Sequence, residues 1–391
     1  MTDNRDLDIV IYGATGFTGG LVAEYLQKRA SEEGLAWAMA GRNQEKLEQR
    51  RSEVGADPST PIIVADSADA DALAALAART RVVLATAGPF ARYGTGLVAA
   101  CAEHGTDYVD ITGEANFVRS MMDAHAATAA ANGARIVHCC GVDSMPSDLG
   151  VHLLQTELIN RTGSPADRIK SRVIDFTGAA SGGTIASIMD GVARAQEDPE
   201  AAALLRSPFA LTPDFAGPEQ PDPTTPALDD DLGVWVTNFI MASINTQIVH
   251  RTNLLLDHRH SADLRYDEML VTGPGDNGEQ LARDLQATGG IPLDGALPAP
   301  GEGPSREQRE AGSFHFTFHA PGVEQAPVVG VTGDLDPGYG STSKMVTEAA
   351  ITLLRDVPDL AGGSWTPASA MAEPLRDRLT AQGVLGFTVD G

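Results

Sequence analysis

From Leu7 onward the chain alternates short, nearly continuous apolar runs with stretches in which apolar residues recur every three or four positions. LDIVIYG, LAWAMAGR, PIIVAD, RVVLATAG, DYVDITG and ARIVHCCG read as strands. GFTGGLVAEYLQKRASEEG reads as the first helix, with its apolar face at Leu21, Val22, Tyr25 and Leu26; NQEKLEQRRSEVG, Ala70–Ala78, Gly94–His104 and Asn116–Asn132 follow as further helices. Strands that barely alternate are covered on both faces, which indicates a parallel sheet between helical layers. Right-handed crossovers make such a sheet doubly wound, so an α/β domain is predicted over 1–150.

After Gly150 the pattern changes. VHLLQTELINR predicts a helix and IKSRVIDFTG a strand, and the Gly-rich SGGT opens a helix around Ile185–Gln196. Ser207–Leu232, with its prolines and the acidic run Asp229–Asp231, reads as a long loop, and Gly289–Gly312 as a second irregular stretch. GPGDNG reads as a turn ahead of a helix near Glu279–Thr288. SFHFTFHA and VVGVTGD alternate as a half-buried antiparallel sheet would, and STSKMVTEAAITLLRD is the last clear helix. The segment Trp235–Leu256 suits an apolar substrate channel, a dimer face or plain core. A second, α+β domain is expected over 151–334, in keeping with a prior of ~150 residues per domain.

Charge narrows the functions. Against 28 Lys+Arg stand 53 Asp+Glu, a net −25, and that field repels phosphate backbones, so no nucleic-acid partner is expected. Cys101, Cys139 and Cys140 lack disulfide or zinc-site spacing and read as free thiols of a cytoplasmic protein; no metal is expected. No signal peptide is visible, and no apolar run reaches the ~18 residues needed to cross a bilayer.

The sharpest motif is Gly13-Ala14-Thr15-Gly16-Phe17-Thr18-Gly19, placed where a strand ends and a helix opens. Gly13 permits the tight turn, Gly16 lets backbone approach a pyrophosphate, and Gly19 lets helix and strand pack closely; the helix N-terminus offers free N–H groups to the phosphates. This predicts a Rossmann-type dinucleotide site. At the end of the second strand stands Arg42 instead of a carboxylate, which selects NADP (NADPH) over NAD, because guanidinium binds a 2′-phosphate that a carboxylate would repel. Glu32 and Glu33 precede that strand and lie at its wrong end. Asp66, ending the third strand, either meets the adenine or caps the next helix. Ala87-Gly88-Pro89 after the fourth strand, Gly113-Glu114 after the fifth and Asp143-Ser144 after the sixth converge on one sheet edge, with Ser147 and Asp148 as alternative helix caps.

GATGFTG, AGRN, AGPFARYG, YVDITGE and GVDSMPSDLG, in this order and spacing, resemble the saccharopine dehydrogenase-like oxidoreductases, as do SGGTIAS, MASINTQIVHRTN and DPGYGSTSKMVTEAAITLL. The resemblance spans nearly the whole chain and is greatest to the branch containing bacterial trans-acting enoyl reductases. It departs from genuine saccharopine reductases, which carry a G-x-D-P-G loop where this chain has Gly141–Pro146. The resemblance implies a nicotinamide cofactor, a second domain with an antiparallel sheet, and a C-terminal segment, 335–391, that returns to the first domain. It carries reaction class better than substrate.

No tyrosine has a lysine four residues on, which excludes the proton donor of short-chain dehydrogenases, and there is no Gly-x-Ser-x-Gly elbow. What remains is hydride transfer by positioning, with Tyr93 as first candidate for proton donor. Ser144 and the N–H groups of Gly182-Gly183-Thr184 are candidate oxyanion donors, and Glu114 and Asp143 order polar groups or act as acids if buried. The SGGTIAS turn alternatively faces an anionic head group or the cofactor phosphates. Lys344 and His138 read as a surface lysine and a buried, hydrogen-bonded histidine. The expected substrate is a small-molecule or lipid-like enoyl compound, with a synthase or membrane surface and a second copy of the chain as candidate partners. An amino-acid-derived C–N bond and a non-catalytic NADP sensor are the other readings.

Overall fold

The computed structural model describes residues 5–178, 182–287 and 302–391. The first part of the chain runs β1 (Leu7–Tyr12), α1 (Phe17–Glu33), β2 (Trp37–Gly41), α2 (Gln44–Glu53), β3 (Ile62–Val64), α3 (Ala70–Arg79), β4 (Thr80–Ala85), α4 (Phe90–Tyr93), α5 (Thr95–His104), β5 (Asp107–Asp110), α6 (Ala115–Asn132) and β6 (Arg135–Val137). The second part runs α7 (Met145–Thr162), β7 (Arg168–Thr177), α8 (Gly182–Glu197), α9 (Pro199–Arg206), β8 (Ala227–Asp229), β9 (Val234–Asn238), α10 (Ala242–Leu255), β10 (Arg265–Gly273), α11 (Gly275–Ala287), α12 (Arg306–Glu310), β11 (Ser313–His319) and β12 (Val328–Gly333). After a π-helical turn at Pro337–Ser341 come α13 (Thr342–Arg355), β13 (Gly363–Trp365), α14 (Pro367–Ala381) and β14 (Gly386–Asp390).

The first sheet has the order β13-β6-β5-β4-β1-β2-β3, with neighbouring strands paired in parallel. Its strands are apolar throughout because both faces are covered. Ile9, Ile11, Met39, Val82 and Leu84 pack with Val22 and Leu26 of α1 and Met345 and Ala349 of α13. Val10, Ala38, Val83 and Tyr108, pointing the other way, pack with Leu73 and Leu76 of α3 and Leu97 and Val98 of α5. Two side-chain caps fix helix starts at the carboxyl ends of strands: Asn43 accepts from Lys46 N at 2.9 Å and Asp69 from Ala72 N at 3.0 Å, each worth about 1 kcal/mol.

The second sheet, β14-β12-β11-β7-β10-β9-β8, is mixed: β7 and β10 run parallel and the other pairs antiparallel. Phe314, Phe316 and Phe318 of β11 all face inward, and they belong to the same apolar cluster as Ile9 and Leu84, so one core runs from the first sheet through α7 into the second. The opposite face carries Arg168, Lys170 and Arg172, held by Asp229, Asp231 and Asp267.

Several sequence expectations change. The 335–391 segment divides: α13 and β13 join the first domain, but β14 pairs with β12 and belongs to the second sheet. STSKMVTEAAITLLRD is not the last helix, since α14 follows with a capping box at Thr366. The loop expected over Ser207–Leu232 contains the short strand β8, and strand β10 lacked a sequence signal because buried polar residues interrupt its apolar pattern on both faces, Glu268 on the core side and Asp267 on the side of Arg168 and Arg172. GPGDNG is not a separate turn, as α11 begins inside it at Gly275. Most of Gly289–Gly312 lies outside the described residues, and its described end forms α12.

Candidate functional site

In a parallel sheet every carboxyl strand end lies at one edge, and the loops there are drawn apart where the connections leave in opposite directions, between β1 and β4. The turn after β1 sits at that point. Gly13 has φ +94°, and a Cβ on it would lie 2.9 Å from both Ala87 N and Thr86 Oγ1. A Cβ on Gly19 would lie 2.1 Å from the Gly13 carbonyl oxygen. Gly16 opens α1 with no side-chain cap, and no acidic residue occupies the first turn of Phe17, Thr18 and Gly19, so its N–H groups and partial positive charge face outward. These features suit a diphosphate.

At the adenosine end, Thr15 Oγ1 lies against Gly41, and Arg42 follows, exposed and without an ion-pair partner among the described residues. Asp66 and Arg42 both act on the phenol of Tyr12, whose pKa burial first, and then the Asp66 charge, push up to about 12. Asp66 does not cap α3: its Oδ1 accepts from Ala68 N at 2.9 Å and closes a turn, and Asp69 provides the cap. A free guanidinium with no carboxylate at the β2 end fits the 2′-phosphate of NADP.

The other half of the edge is built from side chains. Gly88 and Pro89, joined by a cis peptide, precede α4. Glu114 braces that loop: Oε1 accepts from Phe90 N at 2.8 Å and Ser187 Oγ at 3.0 Å, and Oε2 accepts from Ala91 N at 2.9 Å. Both oxygens are thereby engaged as acceptors, which favours the ordering role over the acid role among the two expected for Glu114. Ser144 is also redirected. Fully buried, it donates to Asn245 Oδ1 at 2.9 Å, and Asn245 continues to Glu268, which also accepts from Ser147 and Tyr266. Its hydroxyl hydrogen is spent inside the core. Ser147 and Asp148 lie within α7 rather than capping it; Asp148 accepts from Ala368 N at 2.7 Å, and burial pushes its pKa up to about 7. Tyr93, at the end of α4, is 39% exposed, and its hydroxyl makes no hydrogen bond among the described residues.

Asp143 differs from all of these. It is partly buried, makes no hydrogen bond among the described residues, and burial pushes its pKa up to about 6. A Cβ on Gly113 would lie 3.4 Å from Asp143 Oδ2 and 3.1 Å from Met241 Cε, so the carboxyl and the Met241 methyl both border the backbone of Gly113, just past the end of β5. The loop carrying Asp143 is set by Asp110, which accepts from Cys139 N at 3.0 Å and holds the His138 ring through Nδ1 at 2.7 Å; Cys139 itself has φ +62°. From behind, Val142 N donates to Thr342 Oγ1 at 3.0 Å.

Helix α8 of the second domain covers the edge. Ser187 Oγ lies 3.5 Å from the Cβ position of Gly88, Asp190 pairs with Arg92, and Thr184 Oγ1 meets the Tyr339 hydroxyl at 2.5 Å. Tyr339 packs edge-on against Phe17, which places the Thr184 end of α8 near the start of α1. Ser181 lies outside the described residues. Lys344 sits over the Tyr25 ring, 5.9 Å from its centroid, with no part in the trough. Sequence reasoning missed Asp110, Ser187, Met241 and Tyr339. The strand end DITG marked the first, but the others gained meaning only from packing between domains.

Residues 9–137 match the model of the saccharopine dehydrogenase NADP binding domain. A trans-acting enoyl reductase of Mycobacterium leprae is 36% identical, covering 98% of each chain, and one of Mycobacterium tuberculosis is 36% identical over 97% of each. Among solved structures, the saccharopine dehydrogenase (L-Glu forming) of Saccharomyces cerevisiae shares the fold, with a TM-score of 0.53 at 10% identity over 98% of this chain and 100% of that one. Among the described residues no helix is long and apolar enough to cross a membrane.

Proposed function

This chain belongs to the saccharopine dehydrogenase-like family, with the trans-acting enoyl reductases, and is an NADP-dependent oxidoreductase; from that premise we propose that it reduces the C=C bond of an enoyl group on a lipid or polyketide intermediate. The observation that carries the proposal is the Asp143 carboxyl, unpartnered and half-buried beside Met241 and the bare backbone of Gly113. When bound, NADPH supplies a hydride to the β-carbon, and charge moves to the α-carbon and the carbonyl oxygen. Asp143, protonated, gives its proton to the α-carbon, which completes the addition of H− and H+ across the bond. Glu114 and Ser187 hold the Pro89 loop against α8, and Met241 presents an apolar wall to the acyl chain. The alternative, an amino-acid-derived C–N bond, needs a cation for the substrate carboxylate, and Arg92, the guanidinium bridging α4 and α8 here, is already paired to Asp190. An apolar substrate of this kind is suited to delivery by a synthase or from a membrane surface.

The test is NADPH oxidation with a trans-2-enoyl thioester beside saccharopine and diamino acids. With a pKa of about 6, Asp143 is protonated in about a tenth of molecules at pH 7, so kcat/KM is expected to fall as pH rises above about 6. Asp143→Asn is expected to lower kcat about a hundredfold and to flatten that limb while leaving NADPH affinity intact. Turnover of a diamino acid but no enoyl thioester, or an unchanged pH limb in Asp143→Asn, refutes the reading.

A further inference from the structure

Taking the first domain as the cofactor's, we propose that the groove behind the phosphate-binding turn is a second site, which takes a small phosphate-bearing anion. A cavity of about 270 Å3 lies between α1, α2 and α12, with Phe17, Gly20, Arg50, Arg306 and Arg309 in its walls. Three guanidiniums meet two carboxylates there. Arg306 pairs with Glu24 at 2.8 Å and Arg50 with Glu53 at 2.9 Å, which leaves Arg309 without an ion pair among the described residues. Arg309 lies over the Phe17 ring, 5.6 Å from its centroid, and donates to the Pro304 carbonyl at 2.7 Å. Arg50 retains a buried Nε with no partner.

In a chain of net charge −25, a cavity with a surplus guanidinium reverses the local field. The Arg306–Glu24 pair is solvent-exposed, of a kind worth at most about 1 kcal/mol, and the Arg50–Glu53 pair is partly so, so a tetrahedral dianion can take these guanidiniums from their carboxylates at little cost and bind them in bidentate fashion. The volume falls just below the ~300 Å3 at which ordinary ligand sites begin, which restricts the occupant to inorganic phosphate or a small phosphate monoester.

Arg50 connects this groove to the cofactor. Its guanidinium lies against Gly20, where a Cβ would come within 2.7 Å of Cζ, and Nη2 donates to the Thr15 carbonyl at 3.4 Å. Thr15 belongs to the turn that faces the dinucleotide, and Phe17, under Arg309, opens α1. An anion that draws Arg50 outward alters the turn, so phosphate and NADPH affect each other's affinity, and by linkage they do so reciprocally.

Inorganic phosphate is titrated calorimetrically into NADPH-saturated protein at constant ionic strength, with chloride as the reference salt. The expected result is saturable binding of one phosphate and a change of at least about twofold in NADPH affinity at saturating phosphate. The double variant Arg306→Ala/Arg309→Ala is expected to lose phosphate binding while keeping its phosphate-free NADPH affinity. Phosphate binding that vanishes once NADPH saturates the protein, or that persists undiminished in the double variant, overturns the site. Failure of NADPH to bind at all would instead count against the function proposed above, and the same titration of cofactor-free wild type against the double variant would still decide the groove.

Discussion

The two ends of the trough are made of different material. From Gly13 to Ala87 the walls are backbone: glycines whose neighbours leave no room for a Cβ, an uncapped helix end, and strand termini brought together by the sheet itself. Around Asp143 the walls are side chains from separate elements, with Glu114, Ser187 and Met241 brought in by α6, α8 and the residues before α10. A backbone site tolerates little change because its parts cannot move aside. A side-chain site can be altered one group at a time, and each alteration reports a separate role.

The largest effect is therefore expected at Gly19. An alanine there would put Cβ 2.1 Å from the Gly13 carbonyl oxygen, an obstacle that is itself fixed by the β1 register. Gly19→Ala is expected to cost about 3 kcal/mol or more of stability and to abolish NADPH binding, measured by denaturant unfolding and by fluorescence titration. A stable variant with wild-type affinity would mean that the turn is not the rigid cradle described.

The next effect contrasts the domains through their histidines. His138 in the first domain has Asp110 as a partner, whereas His250 on α10 is buried against Phe209 with Nε2 unpartnered, and burial pushes its pKa down to about 4. A base whose folded pKa is depressed contributes stability that is complete above the unfolded value of about 6.5 and is lost as pH falls towards 4. Acid stability of the wild type alone would mix this with opposing shifts, since burial raises Asp148. The difference between wild type and His250→Leu isolates the ring: it is expected to move in favour of the variant by about 3 kcal/mol between pH 7 and pH 4. Parallel stability curves would show that the ring does not titrate in this range.

The same contrast explains what could be read from sequence. The succession of strands and helices and the phosphate turn depend on local pattern: apolar runs such as LDIVIYG, and glycines at fixed offsets where a strand meets a helix. Arg42 can be nominated from sequence because one position at the end of β2 discriminates between the two cofactors, and the Arg42→Ala variant tests that role. From sequence Ser144 reads as an oxyanion donor and the role of Glu114 stays open between two alternatives, because their partners, Asn245, Phe90 N and Ser187, are distant in sequence or are backbone groups. Asp143 is expected from sequence to order polar groups or to act as an acid if buried, and its burial and lack of partners are properties of the packed structure. The strand β10 escaped notice because buried Glu268 is satisfied by Ser147, Asn245 and Tyr266, so a polar letter stands at a core position.

At the adenosine end a smaller effect is expected. Arg42→Ala removes one guanidinium from an exposed position, and such a charge-assisted contact to a 2′-phosphate is worth about 1.5–3 kcal/mol. NADPH affinity is expected to fall at least about tenfold with NADH affinity unchanged, and an equal loss for both would show that Arg42 does not face the 2′ position.

The smallest effect belongs to Tyr93, and it sharpens the comparison most directly with Asp143. Both are candidates at the proposed reacting end, and neither side chain makes a hydrogen bond among the described residues. They differ in solvation. Asp143 is desolvated enough for its pKa to rise to about 6, so its proton is available near neutrality and its ionised form is disfavoured. Tyr93 is 39% exposed, so water can satisfy its hydroxyl and no neighbour fixes the ring in one orientation. A donor needs a held geometry, because misplacement by about 1 Å can cost a hundredfold in rate. Tyr93→Phe is accordingly expected to change kcat for an enoyl thioester by less than about twofold, against about a hundredfold for Asp143→Asn. If the two losses were reversed, the phenol would be the proton source, and α4 would have to turn inward over the trough when substrate binds.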